Sequence, residues 1–361
     1  MTIETLVVMR RPSRAKRDDV SSEAALNTSN GTTWLGSVPY HGASVIISLL
    51  VASGFATILV SIDWELLRGY YFIDRRNYTE YFKYDENVLA RAKDLAWYNY
   101  ITIEYLWHAG IPFLKDMVSV ELLHVFNALS FFCLFTFAFV VARFAPLWSV
   151  VLLVNPLLMT LAFDQMRMAV AFSLLIWAAV LPRKALIVSL ALCSAAPLIH
   201  TSSVLFIALF VGLKMLQAIS TSIQLKRGLV IVVLVFVGAF MSFLFGDFLQ
   251  AILAAIGDRR ADRYLEDASS GIKYTSFWML FLLATLIQPD AFYNRLSNQF
   301  VVIVLTFVTF NLVFGGYSAR FLAVCLPFSV IALSSLERSL KLPVIFAYVI
   351  YAGLQWSYWV R

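Results

Sequence analysis

The sequence predicts an all-α, polytopic membrane protein, a single bundle of about eleven transmembrane helices with interfacial helices in its external loops. Three observations carry that prediction. The 361 residues are 61% hydrophobic and 15% aromatic, which is too apolar for a soluble domain. Only 14% are charged, where a soluble domain has about a quarter. The charges also gather in short basic clusters between apolar runs, such as Pro182-Arg183-Lys184 and Lys226-Arg227, as they do in loops flanking membrane spans. The formal charge of +6 is therefore a topology signal, and nucleic acid is not an expected partner. Cys133, Cys193 and Cys325 lie within apolar runs and read as small buried hydrophobes, without disulfide or metal spacing.

Taken in order, residues 1–40 mix Arg10, Arg11, Arg14, Lys16 and Arg17 with Ser, Thr, Asn and Gly, and they read as a disordered cytoplasmic tail. They hold no long apolar core of the signal-peptide kind. Residues 41–361 form one transmembrane domain. Its first span, 43–62, runs outward from the basic tail into the longest polar connection, an external loop over 63–119 rich in Tyr and Trp and carrying Arg76, Tyr78, Glu104 and His108. A connection of this length is uncommon without a task. Its aromatic residues suit helices at the headgroup level and are also platforms for sugar rings.

Spans at 120–141 and 146–163 lead to Asp164, and His124 reads as a core histidine of the first of these. Next comes a hairpin. From Arg167 to Arg183 is 183 − 167 = 16 steps and from Lys184 to His200 is 200 − 184 = 16, so at about 1.5 Å per residue both legs run ~24 Å. Arg167 and His200 therefore finish at the same height, and the basic turn puts them outside. Further spans are expected at 203–213, 229–245, 277–287, 300–314, 321–333 and 343–359, with a second external loop over 247–275. That loop begins with an apolar interfacial stretch and continues into a charged segment, Asp258 to Asp267, that holds Arg263.

In this register every short loop assigned to the cytoplasm carries a Lys or Arg, and Asp164, Arg167, His200, Arg263 and Arg320 fall outside. Arginine on the outer side runs against the orienting rule and needs another explanation. A planar fork of donors fits phosphate or carboxylate, and several converging in a low-dielectric cavity would hold a diphosphate. Metal chemistry has little support, because His108, His124 and His200 lack ligand spacing and no external carboxylate pair reads as a cation site. Nucleophilic hydrolase and glycine-rich nucleotide motifs are absent.

The segment Asp164-Gln165-Met166-Arg167, followed after the basic turn by Ile199-His200-Thr201-Ser202, resembles the EpsG-like branch of bacterial exopolysaccharide and O-antigen (Wzy-type) polymerases. Arg76-Asn77-Tyr78 with Tyr81, Asp262-Arg263-Tyr264 and Tyr317-Ser318-Ala319-Arg320 match in the same order. Asp164 stands where that family usually has Asn, Met168 where it has Gln, and Ile199 where it has an aromatic residue. Glu104 is the nearest candidate for the acidic residue late in the first loop.

The resemblance implies a membrane glycosyltransferase of GT-C type at the bacterial inner membrane, with its N-terminus cytoplasmic and its active site facing the periplasm or exterior. It implies a reaction that joins undecaprenyl-diphosphate-linked repeat units, with lipid-linked donor and acceptor, a chain-length regulator and a flippase as partners, and no cofactor. Fixed arginines stabilise a departing diphosphate by about 2 to 4 kcal/mol each in a water-poor site, so the counter-charge needs no metal.

His200, Asp164 and Arg167 are the expected catalytic group. Arg167 is expected as a diphosphate clamp, His200 as base or orienting donor, and Asp164 as base or as the residue that holds Arg167. Arg76, Tyr78, Glu104, Arg263, Tyr264, Tyr317 and Arg320 are expected to bind substrate. Two other classes fit less well. A membrane acyltransferase would need an acyl-donor site on the cytoplasmic side, where the chain offers little, and a lipid-linked oligosaccharide flippase would need charges at mid-depth, where the apolar runs are uninterrupted.

Overall fold

The computed structural model describes residues 32–33, 36–37, 43–84, 100, 104–245, 272–314 and 318–360. Apart from a two-residue antiparallel pair, β1 (Thr32–Thr33) with β2 (Gly36–Ser37), the described chain is helical. α1 (Val45–Ser61) opens on Ser44, whose hydroxyl accepts from the Ile47 N–H and closes one of the orphan donors of the first turn. α1 then lies along α5 (Leu122–Phe144).

Between those two helices the described residues of the first long connection include three helices. α2 (Trp64–Arg68) is capped by the Asp63 carboxylate and stops at Gly69, which takes the left-handed φ of 74° that a glycine adopts without penalty. α3 (Ile73–Tyr84) carries Asp74, Arg75, Arg76, Glu80 and Lys83 together with Tyr78, Tyr81 and Phe82. α4 (Tyr105–Val118) buries Trp107 and Ile111. Leu66, Tyr71 and Ile73 are exposed at the α2–α3 junction.

After α5 the chain breaks repeatedly. A 3-10 helix (Leu147–Leu153) leads to Asn155, whose side chain accepts from the Leu157 N–H and starts the short α6 (Pro156–Phe163). α6 meets α7 (Met166–Val180) at a bend of 100°. The expected straight span over 146–163 is thus a 3-10 helix and one short α-helix, with the buried Asn155 fixed between them by donation to the Tyr348 hydroxyl. α7 and α8 (Leu186–Ile199) pack side by side across the turn at Arg183–Ala185 and form the expected hairpin.

α9 (Ser203–Ile223) runs on well past Lys214, where the sixth span was expected to end near 213. One lysine on an otherwise apolar helix does not stop it, because the long stem can carry its charge to the boundary. α10 (Arg227–Phe243), α11 (Ile272–Leu286), the one-turn α12 (Asp290–Tyr293), α13 (Leu296–Phe314), α14 (Ser318–Ser335) and α15 (Arg338–Trp359) complete the chain.

α13 and α14 form the axis, against which α5, α6, α9, α10 and α11 pack. Phe172, Phe206, Phe300 and Phe328 stack where α7, α9, α13 and α14 meet, with Phe172 and Phe206 centroids 5.0 Å apart. α10 approaches α13 closely at Gly238, where a Cβ would stand 2.5 Å from the Ile303 carbonyl oxygen and 2.7 Å from Thr306 Cβ. Small residues permit such approaches in apolar bundles. One turn further on, the Ser242 hydroxyl donates to Asn311 Oδ1 at 2.5 Å.

Among the described residues three helices are long and apolar enough to cross a membrane, α5, α9 and Leu296–Val313 of α13, or up to four if the bent α6–α7 pair is one span. Five more apolar helices are shorter, among them α1, α8 and α10. About eleven spans were expected. A helix such as α8, with 14 residues, covers only ~21 Å of a hydrocarbon core of ~30 Å.

Candidate functional site

Glu104 is the unexpected centre of the first loop. It precedes α4 in a left-handed conformation, φ 55° and ψ 52°, and it is 7% exposed. A left-handed backbone costs a residue with a Cβ about 1 kcal/mol, and burying a carboxylate costs more, so strong partners must hold it. They are present. Oε2 receives the Arg167 guanidinium through Nη1, while Oε1 lies 2.5 Å from His200 Nδ1 and accepts the Thr201 backbone N–H at 3.3 Å.

The hairpin explains why Arg167 and His200 can share one carboxylate. Arg167 sits in the first turn of α7 and His200 is the residue that ends α8, so legs of matched length bring both to one end. Arg167 is fixed on its other side by Tyr78 of α3, whose hydroxyl accepts from Nε at 2.6 Å while the guanidinium carbon lies 5.0 Å from the ring centroid. The Tyr78 ring meets Trp107 of α4 edge-on at 5.3 Å. Below this polar group Trp107, Ile111, Val125, Phe126 and Met166 make a separate small apolar cluster, with Tyr78 and Ile199 packed against it. The ion pairs therefore rest on a dry floor, where charge interactions are stronger than in water.

Burial acts on each titratable group here. It raises the Glu104 pKa, but the hydrogen bond and charge of His200, the charge of Arg167 and the Thr201 N–H outweigh it, and the carboxyl ends below its ordinary 4.5. The carboxylate is thus ionised at neutral pH. Burial pushes the Tyr78 hydroxyl up to about 12 against the pull of Arg167, so Tyr78 stays neutral and keeps its proton for donation. Arg167 retains 32% of its side-chain surface, and His200 22%. Both side chains are therefore partly open to the surroundings.

Asp164 makes a contact that the sequence does not announce. It ends α6 at the bend, and its carboxylate accepts the Asp74 N–H at 2.7 Å and also bonds the Arg75 N–H. It therefore caps the N-terminus of α3 from 90 residues away, where the helix dipole favours a negative charge. Arg75 reinforces that placement by donating to Asn127 Oδ1 of α5 at 2.6 Å. Asp164 and Asn127 together hold the helix that presents Tyr78.

The remaining expected residues are spread more widely. Arg76 lies on the outer side of α3, paired with Glu80 at 3.1 Å, with 63% of its side chain exposed. Arg320 lies exposed in the first turn of α14. Arg263, Tyr264 and Tyr317 lie outside the described residues. His124, expected in the core, is exposed in the first turn of α5 beside the exposed Leu123, since the helix starts only at Leu122. His108 packs beside Tyr81 and Phe82. No group of three or more His, Cys, Asp or Glu suited to a metal occurs among the described residues.

Three contributors were not foreseen. Thr201 acts through its backbone N–H, which no sequence pattern announces. Arg75 was legible only as a charge next to Arg76. Arg68 lies 3.9 Å from the Tyr70 ring centroid and 5.0 Å from those of Phe72 and Trp359, and its basic residue among aromatics was the available signal.

Apolar spanning helices around a buried Glu-Arg-His cluster at one helix-hairpin end define a helical membrane protein with a polar site at the rim of its bundle. The EpsG family model matches residues 41–361, and the chain belongs to the EpsG family. No curated protein and no solved structure matches it.

Proposed function

We propose that the protein is an exopolysaccharide polymerase, a membrane glycosyltransferase that joins undecaprenyl-diphosphate-linked repeat units on the outer face of the bacterial inner membrane. Membership of the EpsG family supports the polysaccharide side of this reading. The observation that carries the chemistry is the single carboxylate of Glu104, with Arg167 on one oxygen and His200 on the other. In the proposed topology about eleven apolar segments cross or enter the membrane in a GT-C-like bundle, the basic tail is cytoplasmic, and the Glu104 cluster faces out.

In the proposed reaction the acceptor hydroxyl attacks the anomeric carbon of the donor sugar. A new C–O bond forms there as the bond to the diphosphate oxygen breaks, and the lipid diphosphate leaves with the electron pair. With Nδ1 bonded to Glu104, His200 has Nε2 to take the acceptor proton, and the carboxylate stabilises the imidazolium that results. Arg167 meets the charge growing on the diphosphate with the N–H groups not used by Tyr78 and Glu104. Tyr78 and Glu104 set the angle of that guanidinium. Asp164 is a positioning residue that works through α3. Arg76 faces the sugars from the exposed side of α3, and Arg263, Tyr264, Tyr317 and Arg320 are proposed to close the site from the other outer loops.

Reconstitution of the purified protein with a lipid diphosphate-linked repeat unit tests the reading directly. Chain growth is expected, and its absence with the cognate unit overturns the proposal. Arg167→Lys keeps the charge but loses the planar fork, so it is expected to lose most polymer formation. Full activity in that variant sinks the clamp.

A further inference from the structure

Arg68 is a second cation at the Glu104 end of the bundle, and the proposed reaction leaves it unused. It closes α2, 68 − 64 = 4 residues after Trp64, a spacing that puts both on one face of the helix. Trp64 is buried against Trp356 and Trp359 of α15, with ring centroids 5.5 and 5.8 Å apart, so that face is turned toward the bundle. Gly69 then makes its left-handed turn and brings Tyr70 back over the guanidinium, whose carbon lies 3.9 Å from the ring centroid. Phe72 and Trp359 close the box, each 5.0 Å away. Phe72 also stacks on Phe163 at 5.8 Å, so the box stands beside the α6–α7 bend that presents Arg167.

Within the box the charge has no partner. Nε and Nη1 are enclosed and have no hydrogen-bond partner among the described residues, which leaves Nη2 as the open nitrogen of the half-buried side chain. No ion pair of Arg68 occurs among them either. Asp164 lies within electrostatic reach, but its carboxylate is engaged with the backbone of α3. Enclosed N–H groups without acceptors cost free energy that aromatic faces return only in part. An apolar side chain would fill the same box without that cost, so the charge is held for an anion from outside the chain.

The two arginines differ in their company. Arg167 shares a carboxylate with His200, so an acid–base group stands beside it, as bond breaking requires. Arg68 has only a fixed charge among rings that keep water from it, which strengthens its attraction for an anion. Such a site suits a phosphate that is bound and left intact.

We propose that Arg68 holds the diphosphate of the acceptor lipid, with Nη2 donating to one of its free oxygens. The inference rests on the polymerase reading, in which two lipid diphosphates are present together and only the donor's is released. A glycerophospholipid carries the same phosphate chemistry, and the test separates the two sources.

The full chain in detergent is titrated, in native mass spectrometry, with undecaprenyl diphosphate and separately with phosphatidylglycerol. The wild-type protein is expected to bind two molecules of undecaprenyl diphosphate. Arg68→Met, whose unbranched side chain fills the box, is expected to keep the molecule at Arg167, which reports a folded protein, and to bind the other about tenfold to a hundredfold more weakly, as for one lost hydrogen bond to a charged group. Arg68→Lys keeps a charge but not the flat head that stacks, and a weakening of about tenfold or less is expected; it decides the matter if Arg68→Met binds neither molecule. One molecule on the wild-type protein overturns the proposal, and so does unchanged binding of two in both variants. Loss of phosphatidylglycerol with both molecules of undecaprenyl diphosphate retained would assign Arg68 to bulk phospholipid and overturn it as well. None of these measurements needs chain growth, so failure of the polymerase reading shows separately, as two bound molecules without polymer.

Discussion

The two ends of the bundle are both polar and both partly buried, yet they are built from different groups. At the Glu104 end, full charges meet on a carboxylate that is 7% exposed. At the Gln288 end the buried groups are neutral amides and a phenol. Gln288 accepts the Glu337 N–H at 2.8 Å and donates to the Ala284 carbonyl, Asn298 donates to the Phe292 carbonyl, and the Tyr293 hydroxyl donates to the Thr285 carbonyl. Amides used in this way tie off backbone groups where helices stop, at little electrostatic cost. Buried charges cost far more, and a well-packed apolar replacement of such a pair is often as stable. The contrast implies that the amide end exists for folding and the charged end for work.

The largest effect is expected from breaking the charged end. Glu104→Ala leaves the Arg167 guanidinium without its carboxylate and His200 without its orienting partner. Polymer formation is expected to fall by about 10²- to 10³-fold, as when a preorganised electrostatic group is lost, with about 3 kcal/mol of stability lost as well. Thermal unfolding and turnover measured on the same preparation separate the two losses. An activity loss no larger than the unfolded fraction accounts for would make Glu104 a structural residue like Gln288.

Acid should break the same end reversibly. The folded protein holds the Glu104 carboxyl below its ordinary 4.5, so the stability it contributes is fully present above that pH and is lost as pH falls through the folded value. An unfolding midpoint followed from pH 7 downward is expected to stay level on account of this group until below about 4.5, and then to drop. The drop should be absent in Glu104→Gln, which has no carboxyl to protonate.

Much of the fold and a part of this contrast were legible in the sequence. The hairpin was, because a basic turn between apolar legs of equal length sets the height of its ends. The gathering of Arg167 and His200 followed from that arithmetic. The role of Glu104 did not, since it lies 63 residues before Arg167 in a stretch without periodicity. The contact of Asp164 with α3 was not legible for a physical reason. Its neighbour in sequence is Arg167, but a carboxylate at a helix break is also well placed to cap another helix, and here it caps α3. The break at Asn155 was hidden because residues 146–163 carry only Ser149, Asn155 and Thr160 among apolar residues, and composition alone does not reveal that Asn155 ends the 3-10 helix and starts α6.

The amide end should behave in the opposite sense. Gln288→Leu conserves volume but leaves the Glu337 N–H without its acceptor, and Gln288 is fully buried. A loss of about 1 to 3 kcal/mol of stability is expected, with turnover per folded molecule unchanged. A fall in that turnover larger than twofold to threefold would mean that the two ends are coupled through α13 and α14, and the division of labour would fail.

The smallest change expected at the charged end is also the most selective. Tyr78→Phe keeps the ring against Trp107 and removes only the oxygen that accepts from Arg167 Nε. The guanidinium keeps its pairing with Glu104, and its 32% exposed side chain lets water replace the lost acceptor. Stability should therefore fall by about 1 kcal/mol or less. If Tyr78 merely fills space, turnover should match the wild type. If it sets the angle at which Arg167 meets the leaving diphosphate, kcat should fall by about fivefold with KM nearly unchanged, because the interaction is then realised in the transition state rather than on binding. A rise in KM at constant kcat would instead assign Tyr78 to holding the ground-state sugar, and Arg167 would be oriented by Glu104 alone.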